Sequence, residues 1–259
     1  MERERDMKPY KIYILQYALR KCMMCERVMG STDTTPVEVP YYIWVVTNGE
    51  HTAVVDMGAT ESNITKHGRF WLEHPASLLD KVGVNAKTVE HAIVTHLHWD
   101  HAGNYELFPR AKFHLQEDEL AFWTGKHVKH RYFSRAIEVE DVCAMVRYNY
   151  DGRVNLVSGS QELFPGVTLH RMGGHTKGIQ VVQVQTASGT AVIASDACAD
   201  YLLLRTNTPS TIMCDVPGYL DGFDTLRRLA KDERHILPGH DIEALHINRR
   251  LSERIAVLE

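Results

Sequence analysis

The sequence predicts an α/β protein in which two sheets pack together, helices lie outside and a polar site runs along one edge. Three observations carry that expectation. Short apolar runs recur that suit buried strands, and each leads to a ligand-type residue at its carboxyl end. Val54-Val55 stops at Asp56, Ile93-Val94 precedes His96, Val167 to Leu169 leads towards His175, Val192-Ile193 leads to Asp196, and Ile236-Leu237 leads to His240. Stretches of helical character lie between and after these runs. The chain has 259 residues, 44% hydrophobic and 24% charged, which is ordinary for a globular protein and enough to bury a substantial core. One domain spanning 1–259 is expected. A formal net charge of -4 argues against a nucleic-acid or anionic-membrane surface.

In chain order, Met1 to Asp6 mixes charges and resembles neither a signal peptide nor a membrane span. Residues 10–19 are rich in aromatic and branched side chains and suit a first strand. Cys22-Met23-Met24-Cys25 is formally a CxxC, but no second pair completes a tetrahedral zinc site. Five cysteines, an odd number without an export signal, suggest reduced thiols in a cytoplasm. Gly30 to Pro40 reads as a loop. Tyr41 to Thr47, the turn Asn48-Gly49 and His51 to Val55 read as a hairpin. Residues 61–82 read as helix and loop, Ala111 to Leu115 as a strand, and Gln116 to Leu120 as the opening of a helix with acids in its first turn.

Within 116–150 the pattern breaks down from Phe122 to Tyr150 into aromatic and basic residues, which we read as an insertion covering part of the site. His127 and His130 there suit a solvated helix face. Strands are expected again at Val154 to Val157, Val167 to His170, Ile179 to Gln185, Thr190 to Ala194 and around Ile236. Glu243 to Leu258 has helical spacing.

The densest chemistry is Thr95-His96-Leu97-His98-Trp99-Asp100-His101-Ala102-Gly103. His96 and His98, two apart on an extended strand end, project to the same side. Asp100 and His101, in the turn that follows, suit a second centre beside the first. Neutral imidazole and carboxylate suit zinc and its neighbours. The chain has 15 histidines, so a surface loop with chance histidines is the competing reading. Four ligand-type side chains at this density directly after a strand favour a metal site.

His96-x-His98-x-Asp100-His101 resembles the signature of the metallo-β-lactamase superfamily, and Thr95 to Asn104 resembles its N-acyl-homoserine lactonase branch. The resemblance implies a four-layer αβ/βα sandwich and two Zn2+ or other divalent ions. It implies that His96, His98 and His175 hold one metal, that Asp100, His101 and His240 hold the second, and that Asp196 bridges them. Asp56 is a candidate acceptor that orients a ligand imidazole. Two metals about 3.5–4 Å apart can share a hydroxide, because coordination lowers the pKa of water from 15.7 towards ~7. That hydroxide would attack a carbonyl carbon, with Asp100 orienting it and passing its proton to the leaving oxygen.

Among superfamily branches, glyoxalase II-type thioesterases carry a further C-terminal domain, and little chain follows His240. Metallo-β-lactamases proper generally lack the bridging Asp, and flavodiiron proteins put an acid at a motif histidine position. Lactonases remain. They usually carry a tyrosine three residues after the bridging Asp, and here that position is Ala199. Tyr201 is the nearest phenol and the candidate for substrate binding. The expected activity is opening of a small lactone, N-acyl-homoserine lactone first (quorum quenching). A 4-pyridoxolactone-type lactone or another cyclic ester is the alternative, and a non-catalytic metal-binding member a third reading. The expected partner is this small molecule, bound by a monomer or homodimer.

Overall fold

The computed structural model describes residues 8–259, so the reading of Met1 to Asp6 lies outside the described residues. Its strands are β1 (Lys11–Met23), β2 (Pro36–Thr47), β3 (Thr52–Val55), β4 (Phe70–Trp71), β5 (His91–Ile93), β6 (Lys112–Gln116), β7 (Val154–Val157), β8 (Ser160–Phe164), β9 (Val167–Arg171), β10 (Gln180–Thr186), β11 (Gly189–Ser195), β12 (Ile236–Pro238), β13 (Arg249–Arg250) and β14 (Ile255–Leu258). The helices are α1 (Glu61–Lys66), α2 (Pro75–Lys81), α3 (Glu117–Trp123), α4 (Arg131–Ser134), α5 (Val139–Tyr150), α6 (Tyr201–Thr206), α7 (Val216–Leu229) and α8 (Glu243–His246). None is long and apolar enough to cross a membrane.

A nine-stranded sheet runs β13-β14-β1-β2-β3-β5-β6-β7, with β4 paired to β1, and a five-stranded sheet runs β12-β11-β10-β9-β8. Alternation along the strands sends side chains to both faces, so each sheet buries two apolar surfaces. One cluster fills the space between the sheets: Ile14, Trp44 and Val55 from the large sheet meet Leu169, Val182 and Ile193 from the small one. A second packs α1, α2, α3 and α5 on the outer face of the large sheet through Ile64, Leu79, Leu120 and Met145. A third packs α6 and α7 on the outer face of the small sheet through Leu203, Phe223 and Leu226. The order of layers is therefore helix, sheet, sheet, helix, the αβ/βα sandwich.

Three elements depart from the sequence reading. The supposed loop up to Pro40 is strand from Pro36, because β1 runs on to Met23 and pairs it through Leu19↔Pro40 and Met23↔Pro36. The C-terminal stretch is not one helix: α8 ends at His246, and Ile255 to Leu258 pairs antiparallel with Leu15 to Ile12 of β1. Four consecutive apolar, partly β-branched residues gain more by closing a sheet edge, buried on both sides, than by continuing a short helix. Within 116–150, α5 is part of the outer helical layer, with Val142 and Met145 in its core; the chain around Arg135 and Ala136 is what borders the site.

The carboxyl ends of β3 and β5 in one sheet, and of β11 and β12 in the other, open towards the same edge. Gln180 fastens the two sheets there, its side-chain amide donating to Val94 O and to His114 O, each at 2.8 Å.

Candidate metal centre

Five segments supply the polar cluster: the turn after β5, the loop between β9 and β10, and the ends of β3, β11 and β12. The ligand-type atoms of His96, His98, His175 and Asp196 lie within 4.8 Å of one another, and so do those of Asp100, His101 and His240. Asp196 faces both groups, one oxygen to each. Its Oδ2 is 3.1 Å from His175 Nε2, and its Oδ1 is 3.1 Å from His240 Nε2 and 3.5 Å from His101 Nε2.

The imidazoles are oriented from behind. Nδ1 of His175 meets Ile212 O at 2.8 Å, that of His240 meets Pro40 O at 2.8 Å, and that of His96 meets Thr95 Oγ1 at 3.0 Å. Nδ1 of His101 meets Asp56 Oδ2 at 2.7 Å, which is the role expected of Asp56. In each case Nε2 is left for the centre. His98 differs, its Nδ1 lying 2.9 Å from His175 Nε2. Asp56 also accepts from Thr95 N and Thr95 Oγ1, each at 2.8 Å. Asp56 and Ser195, each beside the site at a strand end, adopt φ of 58° and 47°. Non-glycine residues rarely sit there, and such strain persists where the surroundings over-determine it.

Close packing fixes two turns. A Cβ on Gly239 would stand 2.4 Å from Asp196 Oδ1, and one on Gly174, at φ +89°, 2.6 Å from the Tyr219 backbone. Glu119 of α3, fully buried, ties the two ligand loops together. It accepts from Leu97 N at 2.9 Å and Trp123 Nε1 at 2.7 Å, then from Thr176 Oγ1 at 2.6 Å and Gly178 N at 2.9 Å.

Burial holds His96 and His98 well below the usual imidazole range, leaving neutral rings with a lone pair to offer. Burial works against ionised carboxylates, yet the neighbouring His101 and His240 outweigh it, bringing Asp100 down to about 2 and Asp196 well below its ordinary value. His96 Nε2, His101 Nε2 and Asp196 Oδ1 are buried without a hydrogen-bond partner. An unsatisfied buried polar group costs about 1–3 kcal/mol, and three within one His/Asp cluster fit cations rather than chance. Imidazole nitrogens with carboxylate oxygens suit zinc and neighbouring divalent metals.

Residues 37–240 match the family model of the metallo-beta-lactamase superfamily. The chain belongs to this superfamily. An N-acyl homoserine lactonase of Bacillus sp is 26% identical over 252 residues, covering 86% of this chain and 90% of that protein. N-acyl homoserine lactonase AiiB of Agrobacterium fabrum (strain C58) is 28% identical over 251 residues, covering 83% of this chain and 88% of that protein. A solved N-acyl homoserine lactone hydrolase with N-hexanoyl-L-homoserine bound at its catalytic metal centre has the same fold, with a TM-score of 0.74 at 20% identity over 95% of this chain and 98% of that one.

On this superfamily scaffold a cavity of about 100 Å³ opens over the cluster, lined by His98, Asp100, His175, Asp196 and His240. Trp99, Val39, Leu203 and Ile212 supply apolar wall, and Ala199 lies among them. Tyr201 does not reach it. Its side chain is buried among the apolar residues under α6, and its hydroxyl donates to Ile236 O at 2.8 Å, so the substrate-binding role expected of it is corrected to packing. The reason is helix phase: Asp200 caps α6 by accepting from Leu203 N, which turns Tyr201 inwards to the sheet.

The phenol that does line the cavity is Tyr41 of β2. Its ring stands 5.0 Å from the His240 ring, and its hydroxyl accepts from Arg69 Nε at 3.0 Å, leaving its own proton free among the described residues. Burial, then the negative charge of Asp100, push the Tyr41 phenol above its ordinary value, so it stays a donor. Sequence reasoning missed Tyr41 and Glu119. The first sits in a strand remote from the motif, and the second read only as an acid in a first helical turn.

Proposed function

We propose that this protein is a dinuclear metal-dependent hydrolase that opens small lactone rings. The observation that carries the reading is the convergence of seven ligand-type side chains from both sheets, with His96 Nε2, His101 Nε2 and Asp196 Oδ1 buried and unpartnered among them. His96, His98 and His175 would hold one divalent ion and Asp100, His101 and His240 the other, with Asp196 able to serve both. The nitrogen-rich donor set supports zinc. The lactonase relatives, and the product-bound structure of an N-acyl homoserine lactone hydrolase of the same fold, support a lactone as substrate. Five free thiols support a reducing, cytoplasmic setting.

When bound, the two ions would acidify a water and polarise an ester carbonyl. The chain's own side chains do the rest. Asp100 lines the cavity and takes the proton of the attacking water, then returns it to the ring oxygen as the carbon–oxygen bond breaks. Tyr41 donates its hydroxyl proton to the substrate carbonyl oxygen, in place of the tyrosine absent at Ala199. Trp99, Leu203 and Ile212 shed water from the ring. Residues around Arg135 and Ala136 wall the entrance.

N-acyl-homoserine lactone is the first substrate to test. Ala199 favours the second reading, another small lactone or cyclic ester. Metal analysis and a lactone panel followed with a pH indicator test both. Two ions per chain with acid release from lactones supports the function, and a protein holding two ions that opens no lactone or cyclic ester refutes it.

A further inference from the structure

The cavity over the metal cluster continues outwards. Arg20, Arg69, Trp99 and Ile212 line both it and a vestibule of about 450 Å³, which Arg135 and His67 complete. Three guanidinium groups, Arg20, Arg69 and Arg135, stand in the vestibule wall against one carboxylate, Glu26. Glu26 pairs with Arg20. Deeper in, Arg27 is paired with Asp200 at 2.6 Å. That leaves Arg69 and Arg135, neither with an ion-pair partner among the described residues. Among the described residues Arg69 spends only its Nε, on the Tyr41 hydroxyl, and neither terminal nitrogen has a partner. Arg135 lies over the Tyr132 ring at 5.1 Å, a contact that leaves the edge of its guanidinium plane open.

A structural role accounts for part of this, since Arg69 steadies Tyr41. It does not account for Arg135, nor for two free forks at the mouth of one pocket in a chain of net charge -4. A guanidinium presents paired N–H donors that match a carboxylate or phosphate bidentately. An apolar acyl chain, the tail of an acyl-homoserine, gains nothing from such a wall, whereas an anion on the ring does.

We propose that the substrate is a small lactone bearing an anionic group, which Arg69 and Arg135 receive in the vestibule while the ring lies over the metal cluster. The proposal rests on the lactone-opening reading above, and it narrows the substrate class. Carboxylate and phosphate share the chemistry, so the test carries an arm for each.

With the metal-loaded protein, kcat/KM is compared on γ-butyrolactone carrying a hydroxymethyl, a carboxylate or a phosphomethyl group on its γ carbon. In parallel, calorimetry compares cyclopentanone with and without a ring carboxylate, a ketone in which carbon replaces the ring oxygen so that nothing can be cleaved. The expected result is a preference of at least about tenfold for one or both anions, in turnover and in binding, that weakens with added salt. Arg69→Gln with Arg135→Gln is expected to erase most of that preference, chiefly through KM, and Arg135→Lys to keep part of it. Equal turnover and equal binding of neutral and anionic rings overturns the proposal, and so does a preference that survives the double substitution. If no ring is opened but the carboxylated ketone still binds tighter through the two arginines, the lactone-opening reading falls and the anion site stands.

Discussion

At the residue scale, the position of one hydroxyl separates two tyrosines. Tyr201 gives its proton to the β12 backbone, so Tyr201→Phe is expected to lower stability by about 1 kcal/mol and leave kcat at its wild-type value. Tyr41→Phe removes a donor facing the cavity and is expected to lower kcat by about 10²–10³ with metal content unchanged. Steady-state kinetics with metal analysis checks both, and a wild-type kcat for Tyr41→Phe reduces that phenol to packing. Asp196→Ala is expected to lower metal content and abolish turnover, since each of its oxygens faces a different imidazole group. The gathering of these seven side chains was legible in the sequence through the resemblance of the His96 to His101 motif and the apolar runs ahead of His96, His175, Asp196 and His240. The groups that aim them were largely not: Ile212 O and Pro40 O are backbone carbonyls, which any residue type would supply.

At the scale of elements, α3 and α5 of the expected insertion do different work. Glu119 on α3 holds three donors from the two His-bearing loops and a fourth, Trp123 Nε1, from its own helix. Glu119→Gln replaces an acceptor oxygen by a donor amide in that crowded site. A stability loss of about 1–3 kcal/mol is expected, together with weaker metal retention, measured by melting and by metal analysis after dialysis. On α5, burial first, then Glu138 and Glu140, push Asp141 up to about 7, and its Oδ2 is buried without a partner. The folded chain therefore keeps that proton to near neutrality, whereas the unfolded chain releases it near the ordinary 3.8. Between those values the unfolded state binds fewer protons, so this group makes stability fall as pH rises through the window. Asp141→Asn is expected to melt above the wild type at about pH 8, by roughly 1–3 kcal/mol, and to lose the advantage near pH 4. An advantage that does not change with pH would place its origin elsewhere.

At the scale of the whole molecule, the His/Asp cluster is a second seam between the sheets, beside the apolar one. The layering was legible because the chain repeatedly sets an apolar run before a ligand-type residue. The closing strand β14 was not, because Ile255 to Leu258 becomes strand only by pairing with β1 at the other end of the chain. Along the polar seam, His96, His98, Asp100 and His101 come from the large sheet, and His175, Asp196 and His240 from the small one. Metal bound by both sets favours the folded state alone, since the unfolded chain scatters them. At a free zinc concentration of about 1,000 times Kd the stabilisation is about 4.1 kcal/mol, and each kcal/mol moves Tm by roughly 2–4 °C in a chain of this size. Chelation is therefore expected to lower Tm by about 10 °C, reversibly, and Tm to climb with the logarithm of added zinc. Asp196→Ala, which loses the side chain facing both groups, is expected to show a much smaller zinc-dependent shift. Stripped and zinc-loaded protein melting at one temperature would mean that the cluster binds no metal across the seam, and the function proposed for it would go with it.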